Sequence, residues 1–124
     1  MHPNAPLFFE KAPLALPLYA AFEDALLARF PDTEIRVQKT QISFSQRHGF
    51  ACVSLPRRAS ERNAGALLVS FGLPYQAEHP RIMAAPDPYP GRWTHHVLLP
   101  DAASIDATLL GWIAEARAFA LAKR

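Results

Sequence analysis

The run Lys39-Thr40-Gln41-Ile42-Ser43-Phe44-Ser45-Gln46-Arg47 alternates polar and apolar residues through its middle. Successive side chains of a strand face opposite sides of a sheet. Ile42 and Phe44 therefore point one way, and Gln41, Ser43, Ser45 and Arg47 the other. Such a strand needs a sheet with one apolar, covered face and one polar, partly basic face.

Helical and extended segments surround it. From Leu14 to Phe30 the residues Tyr19, Phe22, Leu26, Leu27 and Phe30 recur at three- and four-residue spacing, which predicts an amphipathic helix. Pro17 stands in its opening turn, where a missing N–H costs little, and Pro31 ends it. Residues 1–13, with three prolines around Leu7-Phe8-Phe9, read as a turn or helical fragment pinned by its phenylalanines. Glu34 to Gln38 alternates Ile35 and Val37, and Gln41 to Ser45 continues with the parity shifted by one, so a bulge or bend is expected near Lys39-Thr40. Arg47-His48-Gly49 reads as a hairpin turn with Gly49 free to take positive φ.

Phe50 to Leu55, Ala66 to Leu73, Arg81 to Ala85 and Trp93 to Leu99 read as further strands. Arg57 to Gly65, polar and aperiodic, reads as a mobile loop, and Pro86 to Gly91 as a stiff one. Ile105, Leu109, Trp112, Ile113, Ala116 and Phe119 mark the stripe of a second amphipathic helix, with Asp101 or Ser104 placed to cap its start. The order helix, strands, helix with short connections predicts an α+β two-layer sandwich. Its sheet is mainly antiparallel, with five or six strands, and the N- and C-terminal helices lie on one face of a single domain, 1–124.

Composition removes several functions. Half the residues are hydrophobic and 19% are charged, the balance of a globular chain rather than a disordered one. The net charge of +2 carries no concentrated basic patch of the kind phosphate backbones require, which disfavours a nucleic-acid partner. No apolar run reaches the roughly 20 residues that cross a bilayer. Met1 to Glu10 shows no basic segment followed by an apolar stretch, so a cytoplasmic location is expected. Cys52 is the single cysteine, so one chain can form neither an internal disulfide nor a cysteine-based zinc site.

Strand parity then assigns the polar face. Val97 and Leu99 facing the core take Trp93 and His95 with them and leave Thr94, His96 and Leu98 outside. Likewise Leu67, Val69, Phe71 and Leu73 go inward, while Leu68, Ser70 and Gly72 go outward, with Gly72 permitting close approach. Cys52, Ser54 and a single aromatic, Phe50, complete the surface. The candidate ligand-binding residues are Lys39, Gln41, Ser43, Arg47 and His96. The cations supply charge, the hydroxyls and amide supply hydrogen bonds, and His96 titrates near neutral pH.

Other motifs read as structural. His95 and His96 are adjacent on a strand, so they point to opposite faces and cannot chelate one ion; no metal site is expected. His95 reads as a core histidine bonded to backbone. Arg57, Arg58 and Arg62 read as a solvated charged loop, because no glycine-rich phosphate motif accompanies them. A sheet that stacks RNA bases needs exposed aromatics, and this face offers at most Phe50. No cofactor motif is present, and none is expected.

The set Phe8-Phe9, Lys39-Thr40-Gln41-Ile42-Ser43-Phe44, Arg47, Phe50-Ala51, Pro80-Arg81-Ile82, His95-His96-Val97 and Trp112 resembles one bacterial family of uncharacterised domains of unknown function. More distantly the chain is similar to YdhG-like α+β domains, some of them discussed as frataxin-like iron carriers. The resemblance covers nearly the whole chain, and it implies the fold without implying an activity.

Three functions follow as expectations. The first is a non-enzymatic binding or accessory domain whose polar, basic-edged sheet face takes a small anionic or polar ligand or a protein partner. The second is an enzyme on a small anionic substrate, with His96 as acid/base and Arg47 or Lys39 as the clamp. A metal carrier ranks third. The sequence does not choose an oligomeric state.

Overall fold

In the computed structural model, which describes residues 1–84 and 91–123, the chain forms an α+β fold around one open antiparallel sheet. Three strands make a meander: β1 (Glu34–Val37), β2 (Ile42–Gln46) and β3 (His48–Ser54). β4 (Leu67–Leu73), β5 (Ile82–Ala84) and β6 (Trp93–Leu99) complete it in the order β1-β2-β3-β4-β6-β5. The described helices are α1 (Ala5–Phe8), α2 (Leu16–Arg29), α3 (Ala59–Asn63) and α4 (Ala107–Leu121).

The parity shift at Lys39-Thr40 has a simpler cause than a bulge. Residues 38–41 connect β1 to β2 as a hairpin, closed by the Gln38 N–H donating to the Gln41 carbonyl at 2.9 Å. Ile35 pairs with Phe44 and Val37 with Ile42, so odd and even positions meet on one face. The irregularity lies further on. Phe44 pairs with Ala51 but Ser45 with Gly49, leaving Phe50 as an extra residue of β3. The bulge turns Phe50 to the buried side, where it is 2% exposed and its ring meets Phe30 at 6.4 Å; it is not an aromatic on the polar face. At the β2–β3 turn it is Arg47, not Gly49, that takes the left-handed conformation, at φ 66°.

One buried row organises the apolar face. Phe44, Ala51, Phe71 and His95 are directly opposed across β2, β3, β4 and β6, and all four are buried. Phe22 of α2 meets Phe44 edge-on at 5.6 Å. Trp112 of α4 stacks on Phe71 at 5.8 Å, and the His95 imidazole stacks on that same ring at 5.4 Å. Such aromatic pairs contribute about 0.5–1.5 kcal/mol beyond the area they bury. His95 is fully buried, and its Nε2 accepts the Ala77 N–H at 2.9 Å, the core role expected of it. Burial lowers its pKa, so it is neutral here.

The helices follow their stripes. Tyr19, Phe22 and Leu26 are buried on α2, and Leu109, Ile113 and Ala116 on α4. A 3₁₀ turn over Pro13–Ala15 precedes α2, which ends with the Phe30 N–H on the Leu26 carbonyl. Glu23, 2% exposed, accepts the His2 backbone N–H at 2.9 Å and so ties the N-terminal segment onto α2. Asp101 caps a 3₁₀ turn over Ala102–Ser104, whereas α4 itself is capped by Asp106, whose carboxylate accepts the Leu109 N–H at 2.9 Å. Arg81 grips both Asp106 oxygens at 3.0 Å and the Ser104 carbonyl at 2.9 Å, joining the approach to β5 to the start of α4.

Arg57–Gly65 is not an irregular loop: it contains α3, and the Arg62 guanidinium donates to the carbonyls of Pro56 and Arg57. Gly65 closes the turn at φ +87°, against the Leu14 backbone carbonyl. The expected stiff proline run at 86–90 lies outside the described residues.

The Leu109 N–H and the Arg81 ion pair both favour the charged form of Asp106, and its pKa is lowered. A depressed carboxylate contributes stability above its unfolded pKa, near 4, and loses it as pH falls through the folded value. Asp106→Ala should therefore cost about 1 kcal/mol in urea unfolding at pH 7. That difference should shrink steadily below about pH 4. An equal cost at pH 7 and at pH 3 would refute this account of the cap.

Candidate functional site

On the other side of the sheet the same register builds a polar row. Ser43 of β2 opposes Cys52 of β3, Cys52 opposes Ser70 of β4, and Ser70 opposes His96 of β6. The row exists because each of these residues is one step from a member of the buried row, and one step along a strand changes face. Its centre is less open than parity alone suggests: Ser70 is 7% exposed and Gly72 is buried. Part of the cover at Gly72 is Arg92, whose guanidinium lies so close that a Cβ on Gly72 would meet Nε at 2.8 Å. The close approach that the glycine permits is made by the protein itself.

Ser70 Oγ lies 2.7 Å from His96 Nδ1, which fixes the imidazole and leaves Nε2 as its free edge among the described residues. Two hollows flank this pair. A cleft of about 410 Å³ is lined by His96, Leu68, Met83, Arg57, Arg58 and Glu61. The guanidiniums outnumber the single carboxylate, and Arg62 fixes the loop that carries them by holding its carbonyls. The second hollow, about 170 Å³, is lined by Arg92 with Ser43, Cys52, Ser70, Gly72 and Thr94.

Burial lowers the His96 pKa; a charge on His95 would push the same way, as the positive charge of Arg57 does. The ring is thus neutral at pH 7. When the Ser70 hydroxyl donates to Nδ1, Nε2 carries the proton and becomes a donor. Burial raises the Cys52 pKa, against the nearby Ser70 hydroxyl and the positive charge of Arg92, which act to lower it. The thiol is therefore protonated at neutral pH and is a poor nucleophile.

The five sequence candidates do not converge on one point. Ser43 and Gln41 both line the smaller hollow and are joined to each other and to Gln38: Gln41 Nε2 donates to Ser43 Oγ at 2.9 Å, and Ser43 Oγ donates to Gln38 Oε1 at 2.6 Å. His96 lines the larger cleft. Lys39 sits in the β1–β2 connection and lines a separate groove with Asn4, Leu7 and Lys11. Arg47 is exposed in the β2–β3 turn, at the far end of β2. The cations nearest His96 are instead Arg57 and Arg58, read from sequence as solvated, and Arg92 joins the face from just before β6. The arginine pair carries one sequence signal, its place shortly after the expected strand Phe50 to Leu55. Arg92 carries two, the parity it shares with Thr94 and His96 and a glycine inside the apolar strand beside it. Among the described residues no three His, Cys, Asp or Glu side chains come together as a metal site requires, and no helix is long and apolar enough to cross a membrane.

The raised thiol pKa has a kinetic consequence. Alkylation of Cys52 by iodoacetamide in the folded protein should be slower at pH 7.5 than that of a free thiol, and its rate should still be climbing beyond about pH 8.5. A rate at pH 7.5 equal to that of glutathione would contradict the buried, protonated thiol.

Comparison with curated proteins and with solved structures finds no match. A family model does match: the domain of unknown function DUF5655, over residues 7–120. That span takes in every described strand, α2 and all but the last residue of α4, and the chain belongs to this family.

Proposed function

We propose that this domain binds a small anionic ligand on the polar face of its sheet and performs no chemistry on it. The observation that carries the reading is the cleft in which the Ser70-held imidazole of His96 faces Arg57 and Arg58. Two guanidiniums on a tied-down loop give charge and fork-shaped donors, and the neutral imidazole adds one more N–H. Leu68 and Met83 supply an apolar wall that lowers the local dielectric and strengthens those bonds. Gln41 and Ser43 extend the polar surface beyond Ser70, and Lys39 and Arg47 provide positive charge at the ends of β2.

A second reading makes the domain an enzyme on a small anionic substrate, with His96 as acid/base. The specific observation in its favour is the 2.7 Å contact that orients His96, together with a lowered pKa that keeps the ring in its basic form. Against it, no carboxylate bonds to His96 among the described residues, and the neighbouring thiol is protonated. The metal-carrier reading has no cluster of ligands among the described residues to build on.

Thermal-shift titration with inorganic phosphate and pyrophosphate tests the first reading. Binding to the folded state should raise Tm in proportion to the logarithm of ligand concentration above Kd. The double variant Arg57→Ala/Arg58→Ala should weaken binding by about tenfold or more, since each charge-assisted bond contributes about 1.5–3 kcal/mol. Lys39→Ala and Arg47→Ala should each cost less. If the double variant is stabilised as much as the parent, the cleft is not the binding site.

A further inference from the structure

We propose that Arg92, laid flat on Gly72, forms a second anion subsite on the polar face, one that takes a planar carboxylate. β4 is the strand flanked by β3 and β6, and it is apolar or small at every position: Leu67-Leu68-Val69-Ser70-Phe71-Gly72-Leu73. A glycine inside such a strand is unfavourable by about 0.5–1 kcal/mol relative to alanine. Its φ is ordinary, so backbone freedom is not the reason for it. The reason is space: a Cβ there would stand 2.8 Å from Arg92 Nε, 3.0 Å from Nη2 and 3.2 Å from Cζ. The missing side chain lets the guanidinium rest against the sheet.

What surrounds the guanidinium is suited to an anion. The hollow beside it is lined by Ser43, Ser70 and Thr94, with no carboxylate among the lining residues. Arg92 has no ion pair among the described residues, while being half-buried. A cation withdrawn from water without a counter-charge is costly, and a bound anion removes that cost. Thr94, cross-strand partner of Gly72, lines the same hollow as Arg92 and brings a hydroxyl to it as a further donor.

Size and shape select the ligand class. At about 170 Å³ the hollow is well below the roughly 300–1,000 Å³ of drug-sized ligand pockets, so it suits a group of a few heavy atoms. A guanidinium lying on the sheet offers its edge in one plane, which a carboxylate matches with two parallel bonds. The subsite adjoins the His96 cleft at the Ser70–His96 contact but does not depend on it, since Arg57 and Arg58 line only the larger cleft.

The test is acetate titration of ¹⁵N-labelled protein, followed by the backbone amide shifts of Ser70, Gly72 and Thr94. Saturable shifts are expected in the parent, weakened at least tenfold by Arg92→Ala. Arg92→Lys should also weaken binding, because an ammonium keeps the charge but loses the paired geometry. Gly72→Ala should fold, since the atoms it meets belong to the end of a flexible side chain, and it should weaken acetate binding by displacing the guanidinium. Arg57→Ala/Arg58→Ala should leave acetate binding intact. Shifts that do not saturate, or that persist unchanged in Arg92→Ala, would overturn the subsite. Tighter binding of inorganic phosphate than of acetate at these amides would overturn the carboxylate assignment. Loss of acetate binding only in the double arginine variant would move the anion to the larger cleft, leaving the Arg92 proposal refuted and the cleft reading standing.

Discussion

The register of β4 between β3 and β6 is the constraint from which both faces of this sheet follow. It is held by Phe71, whose ring is packed between the His95 imidazole and the Trp112 indole. Strand side chains repeat with period two, so a slip of one residue would drive Ser70 and Gly72 into the core and expose Phe71 and Val69. The cost of that exchange is several kcal/mol for a single aromatic ring, before any cavity is counted. The polar row Ser43–Cys52–Ser70–His96 is therefore aligned by the apolar row behind it. Nothing on the polar face has to be strong for its geometry to be exact to a hydrogen bond.

The same logic explains why the candidate site is assembled from the middle of the sheet rather than its edges. The central strands are covered on the apolar side by α4 and cannot shift, so groups standing on them are fixed. Ser70 and Cys52 stand there, and His96 is held to Ser70. The cations arrive from outside the strands: Arg57 and Arg58 from the stretch that Arg62 ties down, and Arg92 from the residue before β6. Rigid hydroxyls and an imidazole with cations brought in beside them are what the binding reading rests on. A nucleophile needs the opposite environment, one that draws the proton off, and burial at Cys52 does the reverse.

Much of the fold was legible because burial writes a period into the sequence. The alternations at Ile42–Phe44, Leu67–Leu73 and Trp93–Leu99 and the helical stripes at Tyr19–Leu26 and Leu109–Ala116 each answer to one covered face. What was misread has no period. The parity jump near Lys39-Thr40 fits a bulge or a reversal equally, and only pairing separates them. Phe50 reads as an outward residue because a bulge leaves no mark on composition. α3 is five residues of polar chain held by one arginine's bonds to carbonyls, an interaction that periodicity cannot reveal. The site was half legible for the same reason. Gln41, Ser43 and His96 could be put on one face by counting, whereas Arg92 reaches that face across the sheet surface, and Lys39 and Arg47 are carried off it by the turns at the two ends of β2.

His95 and His96 show how far one step along a strand can separate two identical groups. His95 is buried on the apolar face, stacked on Phe71, with Nε2 occupied as an acceptor by the Ala77 N–H; protonating it would cost that bond as well as its desolvation. His96 stands on the polar side with one nitrogen against Ser70 and the other edge toward a cleft that carries guanidiniums. Its pKa is lowered first by burial, then by any charge on His95 and by that of Arg57; with His95 neutral, burial and the cleft arginine keep the ring neutral. An anion settling between Arg57, Arg58 and His96 would offset the arginine's charge and supply an acceptor for Nε2. Both effects favour the protonated ring, so anion binding and proton uptake at His96 are coupled in the same direction. A ring that is neutral in the empty cleft and protonated in a filled one would make the cleft hold anions more tightly as pH falls. This coupling distinguishes a binding site built on His96 from one built on arginines alone.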